Sequence, residues 1–119
     1  MTPLGLHHVS IDVTDVETAV RFYVDRLGLV ELDRPDIGIP GAWLGAGGQQ
    51  VHLLGVEDVS PSPSAHLALQ VADLDEVADE LNAAGVAVRV LPGIEGIARQ
   101  AFVHDPDHNL VELHERLGA

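Results

Sequence analysis

Seven histidines stand in a chain of 119 residues that has no cysteine, so any metal it binds is held by nitrogen and oxygen donors. Four candidate ligands fall into two pairs when the chain is laid on itself. At an offset of 58, His8 meets His66, and Val9, Ile11, Val13 and Asp15 meet Leu67, Leu69, Val71 and Asp73. At an offset of 60, Gln50-Val51-His52-Leu53-Leu54 meets Leu110-Val111-Glu112-Leu113-His114, which pairs His52 with Glu112. A neutral imidazole suits zinc, nickel, cobalt, manganese or iron as a divalent ion, and three of them with one carboxylate leave a net charge near +1. Such an ion polarises a carbonyl or binds an anionic oxygen, with its open positions left to water or substrate.

The elements that must place these residues are themselves repeated. Segments 8–13 and 66–71 alternate apolar and polar residues, as strands with one buried face do. Val9, Ile11 and Val13 share one face, so His8, Ser10 and Asp12 take the other, and His66 stands with Ala68 and Gln70. A helical stripe follows each strand: Val16, Ala19, Val20, Tyr23 and Leu27, then Leu74, Val77, Ala78 and Leu81. Thr14-x-x-Glu17 and Asp73-x-x-Glu76 read as their caps, and Gly28 and Gly85 as their ends. Three strands are expected after each helix, at 29–33, 41–45 and 49–55, then 86–91, 98–104 and 109–115. Gly47-Gly48 and Asp105-Pro106-Asp107-His108-Asn109 supply turns.

The expected fold is α+β: two βαβββ modules, about 4–58 and 64–116, in one domain over 1–119. A half of this size cannot cover its own sheet, so the halves should pair. On the last strands Val51 and Leu53 face the helix, as do Val111 and Leu113, which turns His52 and Glu112 to the open face with His8 and His66. His114, two residues beyond Glu112, shares that face and suits substrate contact or proton transfer, and His7 should point opposite to His8. Trp43 and Phe102 offer stacking surfaces for a substrate, and Arg99 holds an anion if it shares that open face.

Composition excludes some partners. The formal net charge is −13, with six arginines and no lysine, so nucleic acid and anionic membranes are repelled. No apolar run approaches the roughly 20 residues that cross a bilayer. The N-terminus carries no basic stretch followed by a long apolar segment, so a cytoplasmic protein with a small-molecule substrate is expected.

The motifs Leu6-His7-His8-Val9, Phe22-Tyr23-x-x-x-Leu27-Gly28-Leu29, His66-Leu67-Ala68-Leu69 and Asp105-Pro106-Asp107-x-Asn109-Leu110-Val111-Glu112-Leu113 resemble those of the vicinal oxygen chelate superfamily. That superfamily includes glyoxalase I, methylmalonyl-CoA epimerase, extradiol dioxygenases and the fosfomycin- and bleomycin-resistance proteins. The resemblance implies paired modules forming a cup-shaped curved sheet with helices on the outside, a divalent ion on His8, His52, His66 and Glu112, and a homodimer, sometimes with modules exchanged between chains. It implies a glyoxalase-like lyase or isomerase acting on a substrate that chelates the metal through neighbouring oxygens, with Glu112 and His52 as catalytic groups. The alternatives are an Fe(II) dioxygenase and a resistance-type binder without catalysis. Two positions depart from the pattern. His108 replaces the usual turn glycine, and His52 stands where glyoxalases often carry glutamate.

Overall fold

A computed structural model describes residues 1–118, and Ala119, the last residue of the expected domain, lies outside them. The chain is α+β and forms two compact units, Met1–Ser60 and Pro61–Ala119. The division falls in the Pro/Ser segment that separates the repeats.

The first unit runs β1 (His8–Val13), α1 (Val16–Arg21), β2 (Val30–Leu32), β3 (Gly41–Ala46) and β4 (Gln49–Gly55). The second runs β5 (His66–Gln70), α2 (Leu74–Ala83), β6 (Arg89–Val90), β7 (Ala98–His104) and β8 (Leu110–Arg116). The sheets have the same order, β1-β4-β3-β2 and β5-β8-β7-β6. In each, the first strand lies parallel to the last, and the remaining pairings are antiparallel. The parallel pairing is the reason a helix is needed, because only a crossover returns the chain in the same direction.

Strand alternation sorts the side chains. In the first unit Val13, Leu44, Val51 and Leu53 pack under α1, which adds Ala19, and the turn that follows it adds Tyr23; all are at most 3% exposed. In the second unit Ala101, Val103, Val111 and Leu113 do the same with Leu74 and Leu81 of α2. Burial of each Leu or Val contributes roughly 1.5–3 kcal/mol. The opposite face of each sheet carries the histidines.

Three local departures from the sequence expectations have clear causes. The α1 cap is Asp15 rather than Thr14, since Asp15 Oδ1 accepts from Thr18 N at 3.0 Å. Asp73 caps α2 as expected, accepting from Glu76 N at 3.1 Å. Beyond Arg21, α1 widens into a π-helical turn over Phe22–Arg26, with Leu27 N bonded to Phe22 O at 3.2 Å. Finally, β2 and β6 are shorter than 29–33 and 86–91. Leu29 N is taken by Tyr23 O and Val86 N by Leu81 O, so these residues close the helices instead of opening the strands. Gly28 and Gly85, at φ 75° and 86°, make both closures possible.

The turn before β8 is tied by one buried carboxylate. Asp105 accepts from Asp107 N, Asn109 N and Asn109 Nδ2 at 2.9, 2.8 and 2.9 Å. His108 sits at φ 67°, the one non-glycine residue with positive φ among those described. No helix among the described residues is long and apolar enough to cross a membrane.

Candidate metal-ligand pairs

In the first unit, β1 and β4 bring His8 and His52 to one face. Their rings stack with centroids 3.9 Å apart and planes 12° apart. Trp43, directly across from His52 in the β3–β4 ladder, stacks on its ring at 4.8 Å. His52 is 8% exposed, and its Nε2 donates to Gln50 Oε1 at 2.8 Å as the amide is oriented. Burial, then the neighbouring His8, His7 and Arg34, push the His52 pKa below the usual imidazole range. The ring is therefore held neutral, the form that binds a metal or takes up a proton.

His7 does not point away from His8 as alternation predicted. Its Nδ1 lies 2.8 Å from His8 Nδ1, and its ring meets that of His52 edge-on at 6.3 Å. The reason is that β1 begins at His8, so His7 is outside the ladder and free of its alternation.

In the second unit, β5 and β8 bring His66 and Glu112 together. His66 Nε2 is 3.2 Å from Glu112 Oε1, while His66 Nδ1 is 2.7 Å from the Ser64 carbonyl. A carbonyl only accepts, so Nδ1 carries the proton. In the neutral ring Nε2 is then a bare lone pair aimed at a carboxylate oxygen. Either a second ring proton, which makes His66 a donor to Glu112, or a metal ion fills the space between the two atoms, and the Nδ1–H to backbone carbonyl bond is the usual orienting contact of a metal-bound histidine. Two donors at roughly 2.1 Å from one ion are themselves about 3–3.4 Å apart.

Glu112 has further partners on its other oxygen. Oε2 lies 2.8 Å from His114 Nδ1 and accepts from Gln100 Nε2 at 3.3 Å. Burial raises the Glu112 pKa, but the bonds from His114, Gln100 and His66 together outweigh it, and the carboxyl lies below the usual glutamate range. Phe102, across from Glu112 in the β7–β8 ladder, meets the His66 ring edge-on at 5.1 Å. Trp43 and Phe102 thus hold equivalent places, each across from a last-strand ligand candidate.

Arg99 faces the other way. It pairs with Glu115 in the ladder and binds Asp75 of α2 at 2.6 Å, so it lies on the helix face of β7 and not with Glu112. The condition for an anion role on the open face is not met. His104 and His108 are exposed. Gln50 and Gln100 escaped the sequence reading, and His7 was expected on the opposite face. For Gln100 a signal existed, since it lies two residues from Phe102 on one strand and so shares its face.

Each unit therefore assembles one pair, His8 with His52 and His66 with Glu112. Among the described residues no group of three or more His, Cys, Asp or Glu is gathered as a formed metal site.

Comparison with known proteins agrees with the repeat architecture. Residues 5–113 match the family model for the Glyoxalase/Bleomycin resistance protein/Dioxygenase superfamily. A curated relative, Glyoxylase I 4 from Arabidopsis thaliana, is 31% identical over 92% of this chain and 69% of its own length. A crystal structure of a Bacillus anthracis protein described as of the glyoxalase family superposes with a TM-score of 0.89, 27% identity and 98% coverage of both chains. The fosfomycin resistance protein FosX from Listeria monocytogenes shares the fold, with a TM-score of 0.84, 20% identity, and coverage of 99% and 95%. That structure, an E126Q mutant, holds Mn(II) and 1S,2S-dihydroxypropylphosphonic acid.

Proposed function

Because this chain belongs to the Glyoxalase/Bleomycin resistance protein/Dioxygenase superfamily, we propose that it is a metal-dependent lyase or isomerase of the glyoxalase kind. Its two residue pairs are the halves of one centre, His8, His52, His66 and Glu112, around a single divalent ion (zinc, nickel, cobalt, manganese or iron). The observation that carries this reading is the His66–Glu112 pair, in which Nε2 of an imidazole oriented by the Ser64 carbonyl lies 3.2 Å from a carboxylate oxygen. The donor set fits such an ion, with imidazole nitrogen and carboxylate oxygen and no thiolate.

The ion supplies Lewis-acid polarisation of a small substrate that presents two neighbouring oxygens. The protein supplies the rest. Ser64 O holds the His66 ring, and Gln100 and His114 hold the carboxylate of Glu112. Glu112 accepts the substrate proton, and His114, hydrogen-bonded at Oε2, passes it on. His52 is the second acceptor, kept neutral by burial. Trp43 and Phe102 border the substrate. The assembly is a homodimer of a protein that acts in the cytoplasm.

Metal analysis of untagged protein prepared without chelator, with Glu112→Gln alongside, tests this. One equivalent of metal per chain, lost in the variant, is expected. Nickel, cobalt or zinc fits the lyase or isomerase, and iron fits a dioxygenase. Failure of the wild type to take up any of the five ions would leave a non-catalytic binder. Light scattering after gel filtration checks the dimer.

A further inference from the structure

The six arginines of this chain are far outnumbered by 19 acidic residues, so a guanidinium without a carboxylate partner needs a reason. Arg21 binds Glu17 and Arg99 binds Asp75. Arg34 is different. Its Nε and Nη2 are buried and have no hydrogen-bond partner. Leaving such donors unpaired carries a desolvation penalty, larger for a charged group, that folded proteins rarely accept without use.

These two atoms form one edge of the guanidinium, the edge whose parallel N–H bonds match two oxygens of an oxyanion. The position is also defined. Gly41 stands two residues before Trp43 on β3, so the place its missing Cβ would take lies on the open face with Trp43. Nη2 sits 2.9 Å from where a Cβ on Gly41 would be, so the glycine leaves the room the guanidinium occupies. A cavity of about 480 Å³ opens here, lined by Arg34, Pro35, Asp36, Gly38, Ile39 and Gly41 among others. Asp36 lines the same cavity but turns its Oδ1 to Gly38 N at 3.0 Å, within its own loop.

We propose that Arg34 anchors a carboxylate-binding subsite on the open face of the first unit, beside His52 and Trp43. One guanidinium with no lysine anywhere in the chain matches a single negative charge. A dianionic phosphate would add twice the repulsion from a net charge of −13 and calls for a second cation. The Nε/Nη2 edge is already desolvated, so an incoming carboxylate meets a donor pair that has no water to give up. Segment 33–40, which supplies most of the cavity lining, holds neither helix nor strand. The catalytic meaning, that the substrate carries a carboxylate beside its chelating oxygens, rests on the metal reading. The binding itself does not.

The test therefore uses the metal-stripped full chain, titrated with sodium acetate against a sodium chloride background of equal ionic strength. Nitrogen-15 spectra follow the Arg34 Nε–H and the Trp43 indole. Saturable shifts of both are expected, with Arg34→Lys weakening binding about tenfold because it loses the two-pronged contact, and Arg34→Met abolishing it. Thermal unfolding confirms that each variant is folded. If Arg34→Met does not fold, the wild-type Arg34 resonance and Arg34→Lys decide. Acetate that leaves Arg34 Nε unmoved, or binds the variants equally, overturns the subsite. Inorganic phosphate binding more tightly than acetate overturns the assignment to carboxylates. Metal uptake that fails while acetate still binds removes the enzyme reading and leaves the subsite standing.

Discussion

At Glu112 the competition between burial and hydrogen bonding decides the chemistry. A carboxyl 6% exposed should hold its proton, yet three donors keep it ionised below the usual value of 4.5. A group with a lowered folded pKa lends stability above its unfolded value and loses it as pH falls through the folded one. His52 behaves alike around a higher value, since its neutral form is the one favoured by burial and by His8, His7 and Arg34. Urea midpoints should therefore fall first as pH drops below 6.5 and again below 4.5. His52→Gln should flatten the upper step and Glu112→Gln the lower, and steps that persist in both variants would refute the assignment. His114→Gln removes one donor from Oε2, and should cut cobalt affinity roughly 10–100-fold while Glu112 stays in place, read from the visible absorption of added Co²⁺. That His8 and His52 share a face, and His66 and Glu112 likewise, was visible in the sequence because strand alternation fixes a face; that the first strand lies beside the last was not. Hydrogen bonds that depend on side-chain reach, such as Gln100 to Glu112, were not.

At the level of elements, the repeat is legible because its period is carried by apolar residues, and a sheet tolerates no slip of one residue without turning its core outward. Ends are less legible. Whether Leu29 and Val86 begin a strand or finish a helix depends on which carbonyl reaches their N–H groups, and in both modules the helix wins. The Thr14 cap failed on the same ground, because two adjacent cap-type residues compete and Asp15 has the better reach to Thr18 N. Asp15→Ala should destabilise the protein by about 1 kcal/mol. His108→Gly should do the opposite. The residue sits at φ 67°, outside any ladder, and glycine relieves a strain of roughly 1 kcal/mol. Opposite shifts in denaturant midpoint at unchanged slope are expected, and a destabilised His108→Gly would mean its exposed ring contributes more than the backbone strain.

At the scale of the whole molecule, each unit has its own core, and the proposed centre draws two ligands from each. An ion held by all four must therefore stabilise both units together, whichever chain supplies each pair. At a concentration 100 times its dissociation constant it contributes about 2.7 kcal/mol. Hydrogen exchange separates the units without altering either. Amides of β4 and the fluorescence of Trp43, the sole tryptophan, report the first, and amides of β8 report the second. Zinc should slow exchange in β4 and β8 by the same free energy. Glu112→Gln, which touches only the second unit, should remove that protection from both. Protection confined to β8 would show that His66, Glu112 and His114 bind the ion alone, and the four-ligand centre would have to be given up.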